Sequence, residues 1–182
     1  QLALTLAAQA LRAVQRGAAE SALTLAREAV ALEGDLEAAV ESRRILGLAL
    51  HQLGRFEEAA QHLEIALDGS RTLDDRHRKV LILGSLAQSL CMRGHVERAV
   101  QTQQMAVATA RQLGSLGYLA EALNDLGSYF CIVGDYAAAL EAADEALRVA
   151  RDVGHPGVEV HALLNVGELL RDKSPGQISG AG

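Results

Sequence analysis

Residues 46–66 carry the pattern that decides the fold: Leu46-Gly47-Leu48-Ala49-Leu50-His51-Gln52-Leu53-Gly54-Arg55-Phe56-Glu57-Glu58-Ala59, continuing to Ala66. Apolar and small residues recur here at spacings of three and four. That is the period of a helix face, not the alternation of a strand. Gly54 breaks the periodicity, and a glycine ending a helical stretch acts as a stop because a left-handed backbone costs it nothing. The stretch reads as a helix, a tight turn and a second helix.

The same punctuation returns along the chain. Met92-Arg93-Gly94-His95-Val96 and Ile132-Val133-Gly134-Asp135-Tyr136 set the turn glycines 40 residues apart, and Gly17 in Gln15-Arg16-Gly17 precedes Gly54 by 37. Before the turns stand Leu46-Gly47, Leu86-Ala87 and Leu126-Gly127, with Leu50, Leu90 or Phe130 one helical turn later. After them come Phe56, Val96 or Tyr136, then Ala59, Ala99 or Ala139, then Ala66, Ala106 or Ala146. Small residues fall where two helices must approach closely, and large ones where successive pairs meet. A regular period in this range is the signature of stacked helical pairs. Helices are predicted over 2–15, 18–33, 36–53, 55–72, 75–93, 95–113, 116–133, 135–153 and 156–172: four hairpins and one extra helix. The segment from Ser174 to Gly182, rich in Ser, Pro and Gly, makes 173–182 a flexible tail or linker. Ser174 stands 40 residues after Gly134, where a fifth turn would fall.

Composition agrees with an all-α domain. Of 182 residues, 49% are hydrophobic and 22% charged, which is globular rather than disordered. Only 3% are aromatic, and alanine and leucine, both strong helix formers, fill the gap. A net charge of −6 without any block of Lys and Arg argues against direct contact with nucleic acid, which needs a basic face. Apolar runs such as Val80 to Leu83 and Tyr136 to Leu140 are too short to span a bilayer. Gln1 to Ala8 has neither a basic leader nor a cleavage pattern, and it opens inside a helical pattern without an initiator Met, as an excised domain would. Two cysteines without CxxC spacing suggest a reducing compartment, so a cytoplasmic location is expected.

The segments Leu46-Gly47…Leu50…Gly54-Arg55-Phe56…Ala59…Ala66 and Leu126-Gly127…Gly134-Asp135-Tyr136…Ala139…Ala146 resemble consensus tetratricopeptide repeats. The other two copies are weaker: Ala87 replaces the first glycine in one, and the first copy offers Gln9-Ala10 and Ala19. Arg71, Arg111 and Arg151 stand where the family places a proline, consistent with a second helix that runs on for another turn. With its long period and joins such as Ala150-Arg151-Asp152-Val153-Gly154, the chain is similar to the repeats of bacterial regulators, signalling ATPases and spindle-orientation adaptors. The resemblance covers about residues 1–172 and implies a right-handed superhelical α-solenoid. The first helix of each pair would line a concave groove that binds proteins, peptides or small signals.

On that basis the inward columns run Arg44, Gly84, Asn124, Leu164; then Leu48, Gln88, Ser128, Glu168; then His51, Cys91, Cys131, Arg171. Glu41, Leu81, Glu121 and His161 lie beside them. The expected groove residues are Glu41, Arg44, Leu48, His51, Leu81, Gln88, Cys91, Glu121, Asn124, Ser128 and Cys131. Their mixture of polar and apolar types suits an extended or helical peptide, although a merely solvated helix face would look the same. Cys91 and Cys131 occupy equivalent places on successive first helices. Helix axes 8–10 Å apart exceed disulfide reach, so both are expected as free thiols. A redox or metal-responsive pair is the sharper reading of them, and two small half-buried apolar residues the plainer one.

Catalytic signatures are missing. None of the six histidines falls in HExxH or a Cys/His cluster, and there is no GxSxG and no phosphate loop. Acidic pairs such as Glu57-Glu58 and Asp74-Asp75 sit near helix starts, where they complement the dipole. The family's carboxylate clamp, which grips a C-terminal carboxylate, would find Arg44 and Asn124, but Gly84 and Glu121 interrupt it. The expectation is a non-catalytic protein- or peptide-binding scaffold without cofactor or metal, the interaction or sensor module of a bacterial regulator. A small-ligand or signal-peptide sensor, or a homodimerisation module using the apolar first pair and the ninth helix, stand as alternatives.

Overall fold

In the computed structural model, residues 1–32 and 34–172 are described, with side chains up to residue 167. The linker expected over 173–182 lies outside them. Nine helices make up the described chain: α1 (Leu2–Gln15), α2 (Ala19–Ala31), α3 (Leu36–Gln52), α4 (Phe56–Thr72), α5 (Arg76–Met92), α6 (Val96–Leu113), α7 (Leu116–Val133), α8 (Tyr136–Val153) and α9 (Pro156–Asp172). Each expected helix is present, with bounds that match to within a residue or two. The fold is an all-α helical-repeat solenoid. It divides into two compact units, Gln1–Thr109 and Ala110 onward, with the division inside α6. In the first unit α1 packs with α2 and α3 with α4, α3 also meets α1 and α2, and α5 meets α3 and α4. In the second, α7 pairs with α8 and α9 packs on both. No helix among the described residues is long and apolar enough to cross a membrane.

The turns follow from their glycines. At Gly54 (φ +73°) the Arg55 N–H donates to Leu50 O and the Gly54 N–H to His51 O, both at 2.9 Å. This pair of bonds closes the last carbonyls of α3 in a Schellman arrangement, and the same pair recurs at Gly17, Gly94 and Gly134. A second series of left-handed residues, which the sequence reading touched only at Gly154, ends the second helix of successive hairpins at Asp74, Gly114 and Gly154. Asp74, at φ +50°, is the one non-glycine among the described residues with positive φ. Asp tolerates that conformation better than most residues. Helix starts are pinned by Asp35, Asp75 and Asp135, whose carboxylates accept from the N–H groups of Ala38, Arg78 and Ala138 at 2.8, 2.9 and 3.1 Å.

Small residues set the spacing inside each hairpin. A Cβ on Gly47 would lie 2.6 Å from Leu63 Cγ, so α3 and α4 touch with no room for a methyl group. In the second unit a Cβ on Gly127 would stand 3.3 Å from the Ala139 carbonyl oxygen. The repeating alanines Ala59, Ala99, Ala106, Ala139 and Ala146 are all buried. Around α1 to α4 a core of Ala7, Ala10, Ala22, Ala26, Ile45 and Leu50 is close-packed largely from methyl groups. That is how a chain with so few aromatics fills its interior.

Candidate functional site

The expected groove residues of the first unit lie on α3 and α5, and the charged ones are engaged with each other. Arg44 is buried, with 6% of its surface accessible. Its guanidinium grips Glu41 bidentately, Nε to Oε2 at 3.0 Å and Nη2 to Oε1 at 2.6 Å. Glu41 also meets Arg78 Nε at 3.3 Å, and Arg78 continues to Asp75 at 2.7 Å and Glu37 at 2.6 Å. Burial pushes the Glu41 carboxyl up, but the two arginines outweigh it and hold the pKa below the usual value. The sequence columns placed Arg44 on the groove wall; the structure closes it into a five-member network. Arg78, Asp75 and Glu37 were missed, although Asp75 to Arg78 is a legible i, i+3 pair on one helix.

His51 is half-buried. Its Nδ1 lies 3.0 Å from Ser89 Oγ, and its ring meets Phe56 edge-on with centroids 5.0 Å apart. The Ser89 hydroxyl directs its own proton to the Ser85 carbonyl at 3.0 Å. Its oxygen is therefore the acceptor toward His51, which places the imidazole proton on Nδ1. Burial lowers the His51 pKa. Leu48 and Leu81 are half-buried and Gln88 is exposed. Cys91 and Cys131, one in each unit and both half-buried, form no disulfide, and burial pushes the Cys91 thiol up, away from the reactive thiolate.

The second unit is different. Asn124 is buried, and its Oδ1 accepts from Asn165 Nδ2 at 3.2 Å; the same amide nitrogen reaches Ser128 Oγ at 3.3 Å. These three residues with His161 and Leu164 line a cleft of about 290 Å³ between α7 and α9. Glu121 is exposed and pairs with His155 Nε2 at 3.3 Å, while His155 Nδ1 accepts from the Val158 N–H at the start of α9. Asp125, beside Asn124, is open to water at its surface but crowded by protein. Desolvation and the nearby Glu121 push its pKa up to about 6, against the opposing pull of the Asn124 amide and His161.

Asp125 and Asn165 were not among the expected residues. Counting by 40 paired Asn124 with Leu164, whereas its hydrogen-bond partner is Asn165, 41 positions on. Neighbouring first helices cross at an angle, so side chains meet on diagonals. The same offset appears in Glu37 with Arg78. Outside these faces, a cleft of about 430 Å³ at the α3–α4 turn is lined by Arg55, Phe56, Glu57, Glu58, Arg93 and His95 together with Gly54. Its charges are mutually paired, Arg55 with Glu58 at 2.6 Å and Arg93 with Glu57. Among the described residues no group of three or more His, Cys, Asp or Glu is placed to hold a metal ion.

Residues 36–112 and 119–153 match profiles of the tetratricopeptide repeat. No curated protein sequence matches the chain. Solved structures do, by shape. A Rap protein complexed with Competence and Sporulation Factor superposes with a TM-score of 0.80 at 18% identity, over 92% of this chain and 51% of the other. A STAND protein with a tetratricopeptide repeat sensor from Pyrococcus horikoshii gives 0.82 at 19% identity, over 92% and 26%. Tetratricopeptide-like repeats of a putative kinesin light chain from Podosopora anserina give 0.78 at 17%, over 95% and 87%. The chain thus spans about half the length of the Rap protein. At these identities the likeness is one of fold.

Proposed function

The chain belongs to the tetratricopeptide repeat family, and from that premise we propose that it is a non-catalytic scaffold binding a protein or peptide along its first helices, as the interaction or sensor module of a bacterial regulator. The observation that carries this reading is the Asn124–Asn165–Ser128 cluster opening on the α7–α9 cleft. Amide side chains offer donors and acceptors together, which is what an extended peptide backbone requires of its receptor. Of the residues lining the cleft, the Ser128 hydroxyl is turned to the Asn124 main-chain carbonyl at 3.2 Å and the Asn165 amide at 3.3 Å rather than to His161. A Rap protein holding Competence and Sporulation Factor, and a STAND protein whose repeats form a sensor, support the regulatory part by analogy.

The test is selection of peptides from a displayed random library, followed by hydrogen exchange of the complex. Protection on α7 and α9 with little change on α8 is expected. Asn124→Ala with Asn165→Ala should weaken the selected peptide about tenfold or more, as loss of two net hydrogen bonds would. Protection confined to α8, or unchanged affinity, would remove the proposal.

Self-association is favoured by one observation. Val160 and Leu163 on α9 are 54% and 45% exposed. Gly167 has no described atom within 4 Å of its Cβ position, whereas Gly127, 40 residues earlier, meets α8. This apolar face of α9 is exposed among the described residues. Light scattering at micromolar concentration decides it: a dimer mass supports the reading, and a clean monomer excludes it.

A further inference from the structure

Within the first unit, α3 and α5 share a face that is tied at both ends and bare in the middle. At one end Glu41 meets Arg78 Nε at 3.3 Å, and at the other His51 Nδ1 meets Ser89 Oγ at 3.0 Å. One helical turn in from the His51 end stand Leu48 on α3 and Ser85 on α5, with Gly84 beside Ser85 and Leu81 a turn farther back. Leu48 and Leu81 are half-buried, so the fold leaves part of their apolar surface uncovered. Gly84 has no atom within 4 Å of its Cβ position, whereas a Cβ on Gly47 would lie 2.6 Å from Leu63. A glycine inside a helix costs stability relative to alanine. Close packing of α3 on α4 offsets that cost at Gly47; no described neighbour does so at Gly84. The space above α5 suits a group that arrives from outside the fold. His51 supplies a polar counterpart. The Ser89 hydroxyl, fully buried, directs its proton to the Ser85 carbonyl, which holds the imidazole proton on Nδ1 and leaves the lone pair on Nε2. That nitrogen is accessible and bonds no described residue. A ring locked in one tautomer by a buried partner presents a fixed acceptor.

We infer that this α3–α5 face binds an uncharged segment of an extended peptide, with a backbone N–H donating to His51 Nε2 and an apolar side chain seated over Gly84 between Leu48 and Leu81. This rests on the groove reading and adds to it a contact of defined chemistry in the first unit. A fixed acceptor with no donor of its own calls for an N–H or O–H from the ligand, and the donor that nearly every peptide unit carries is its main-chain N–H. Glycine is the residue that lets a ligand approach helix backbone closely, and a side chain lodged there covers the open surface of Leu48 and Leu81. The charges of this face favour a neutral occupant. Glu41 is already matched by Arg44 and by Arg78, so a charged side chain would have to break an existing pair to find its own. Burial lowers the His51 pKa, which keeps the ring neutral and Nε2 free to accept at neutral pH. Gln88, exposed one turn beyond Gly84, offers an amide to the flanking peptide carbonyl.

The experiment takes the best peptide selected on the full chain from a displayed random library and remakes it with each backbone N–H methylated in turn. Methylation at one position should weaken binding to the wild type about tenfold or more. Against His51→Phe, which removes the acceptor but keeps a ring beside Phe56, the same methylation should cost less than about twofold. A steric clash of the added methyl would persist in that variant, so the difference reads the hydrogen bond. Gly84→Ala should raise the urea midpoint by about 0.5 M and yet weaken the unmethylated peptide about fivefold or more. A loss of affinity in a more stable protein cannot come from misfolding. No methylation that couples to His51, or full affinity in Gly84→Ala, with α7 and α9 still protected from exchange, overturns this inference and leaves the groove reading standing. Selection of Asp, Glu, Lys or Arg beside the sensitive N–H overturns the uncharged occupant. N-acetyl-leucinamide binding as tightly as the peptide overturns the peptide. Absence of protection on every first helix sinks the groove reading itself.

Discussion

Two helix-interior glycines in the first unit, Gly47 and Gly84, look alike in the sequence and should respond differently to alanine. Gly84 on α5 has no atom within 4 Å of its Cβ position. Gly84→Ala should therefore yield only the gain in helix propensity, about 1 kcal/mol. Gly47 on α3 would set its new methyl 2.6 Å from Leu63 Cγ and 3.0 and 3.2 Å from that residue's two methyl carbons. Leu63 is fully buried, so it cannot swing into solvent. Overpacking of this kind costs about 1–3 kcal/mol, and the same propensity gain offsets part of it. Gly47→Ala should be neutral to about 2 kcal/mol destabilising, leaving the two variants about 1–3 kcal/mol apart. The assay is urea unfolding followed by far-UV circular dichroism. With a slope of about 2 kcal/mol/M, Gly84→Ala raises the midpoint by about 0.5 M and Gly47→Ala leaves it unchanged or lowers it by up to about 1 M. A midpoint for Gly47→Ala as high as that for Gly84→Ala would mean that α3 and α4 can part freely, and the close-approach role of Gly47 would be refuted.

Glu41→Ala should destabilise the chain by about 3 kcal/mol, because it strands the Arg44 guanidinium at 6% exposure. Glu41→Leu with Arg44→Leu should recover most of that loss, and a single-variant cost under about 1 kcal/mol in the same urea assay would show that Arg44 finds water instead. Asp125 should titrate with a midpoint near 6 by carbon NMR, Glu121→Gln moving it down and His161→Gln moving it up. Its folded pKa lies above the unfolded value of 3.8, so its contribution is fully present below about pH 4 and is lost as pH rises through about 6. His51 acts in the opposite direction: its pKa is depressed by burial, so its contribution is present above 6.5 and lost as pH falls through the folded value. Asp125→Asn should accordingly steepen the net loss of stability on acidification from pH 6.5 to 4.5, and no change in that slope would contradict the assignment.

The helices were legible because their signals are local and repeated. A glycine at positive φ, followed by a small residue at a fixed distance, writes the hairpin into the chain at Gly54, Gly94 and Gly134. The second turn series was harder to see, since Asp74 stands where Gly114 and Gly154 stand later and hides the period. The site was only half legible for a geometric reason. A 40-residue count identifies which helical turn faces its neighbour, but a tilt between helices moves the actual partner by one to three positions. Asn124 meets Asn165, Ser128 meets Asn165 and His51 meets Ser89, at separations of 41, 37 and 38. The columns therefore included Asn124, Ser128 and His51, which do meet neighbouring helices, but set other residues opposite them.

That same tilt changes which substitution can report on binding. Arg44 is the obvious target from sequence, being the only basic residue in its inward column. Yet its charge is already matched by Glu41, and Glu41 is shared with Arg78. Replacing Arg44 by Glu would set two carboxylates against each other in a buried site, and loss of binding would follow from loss of the first unit's packing whether or not a ligand ever touches it. Asp125 carries no such burden: it is accessible, its Asn replacement keeps the shape, and no ion pair reaches it among the described residues. A substitution at a charge that the fold does not use for its own cohesion leaves the packing intact, so its effect on binding is not confounded with unfolding.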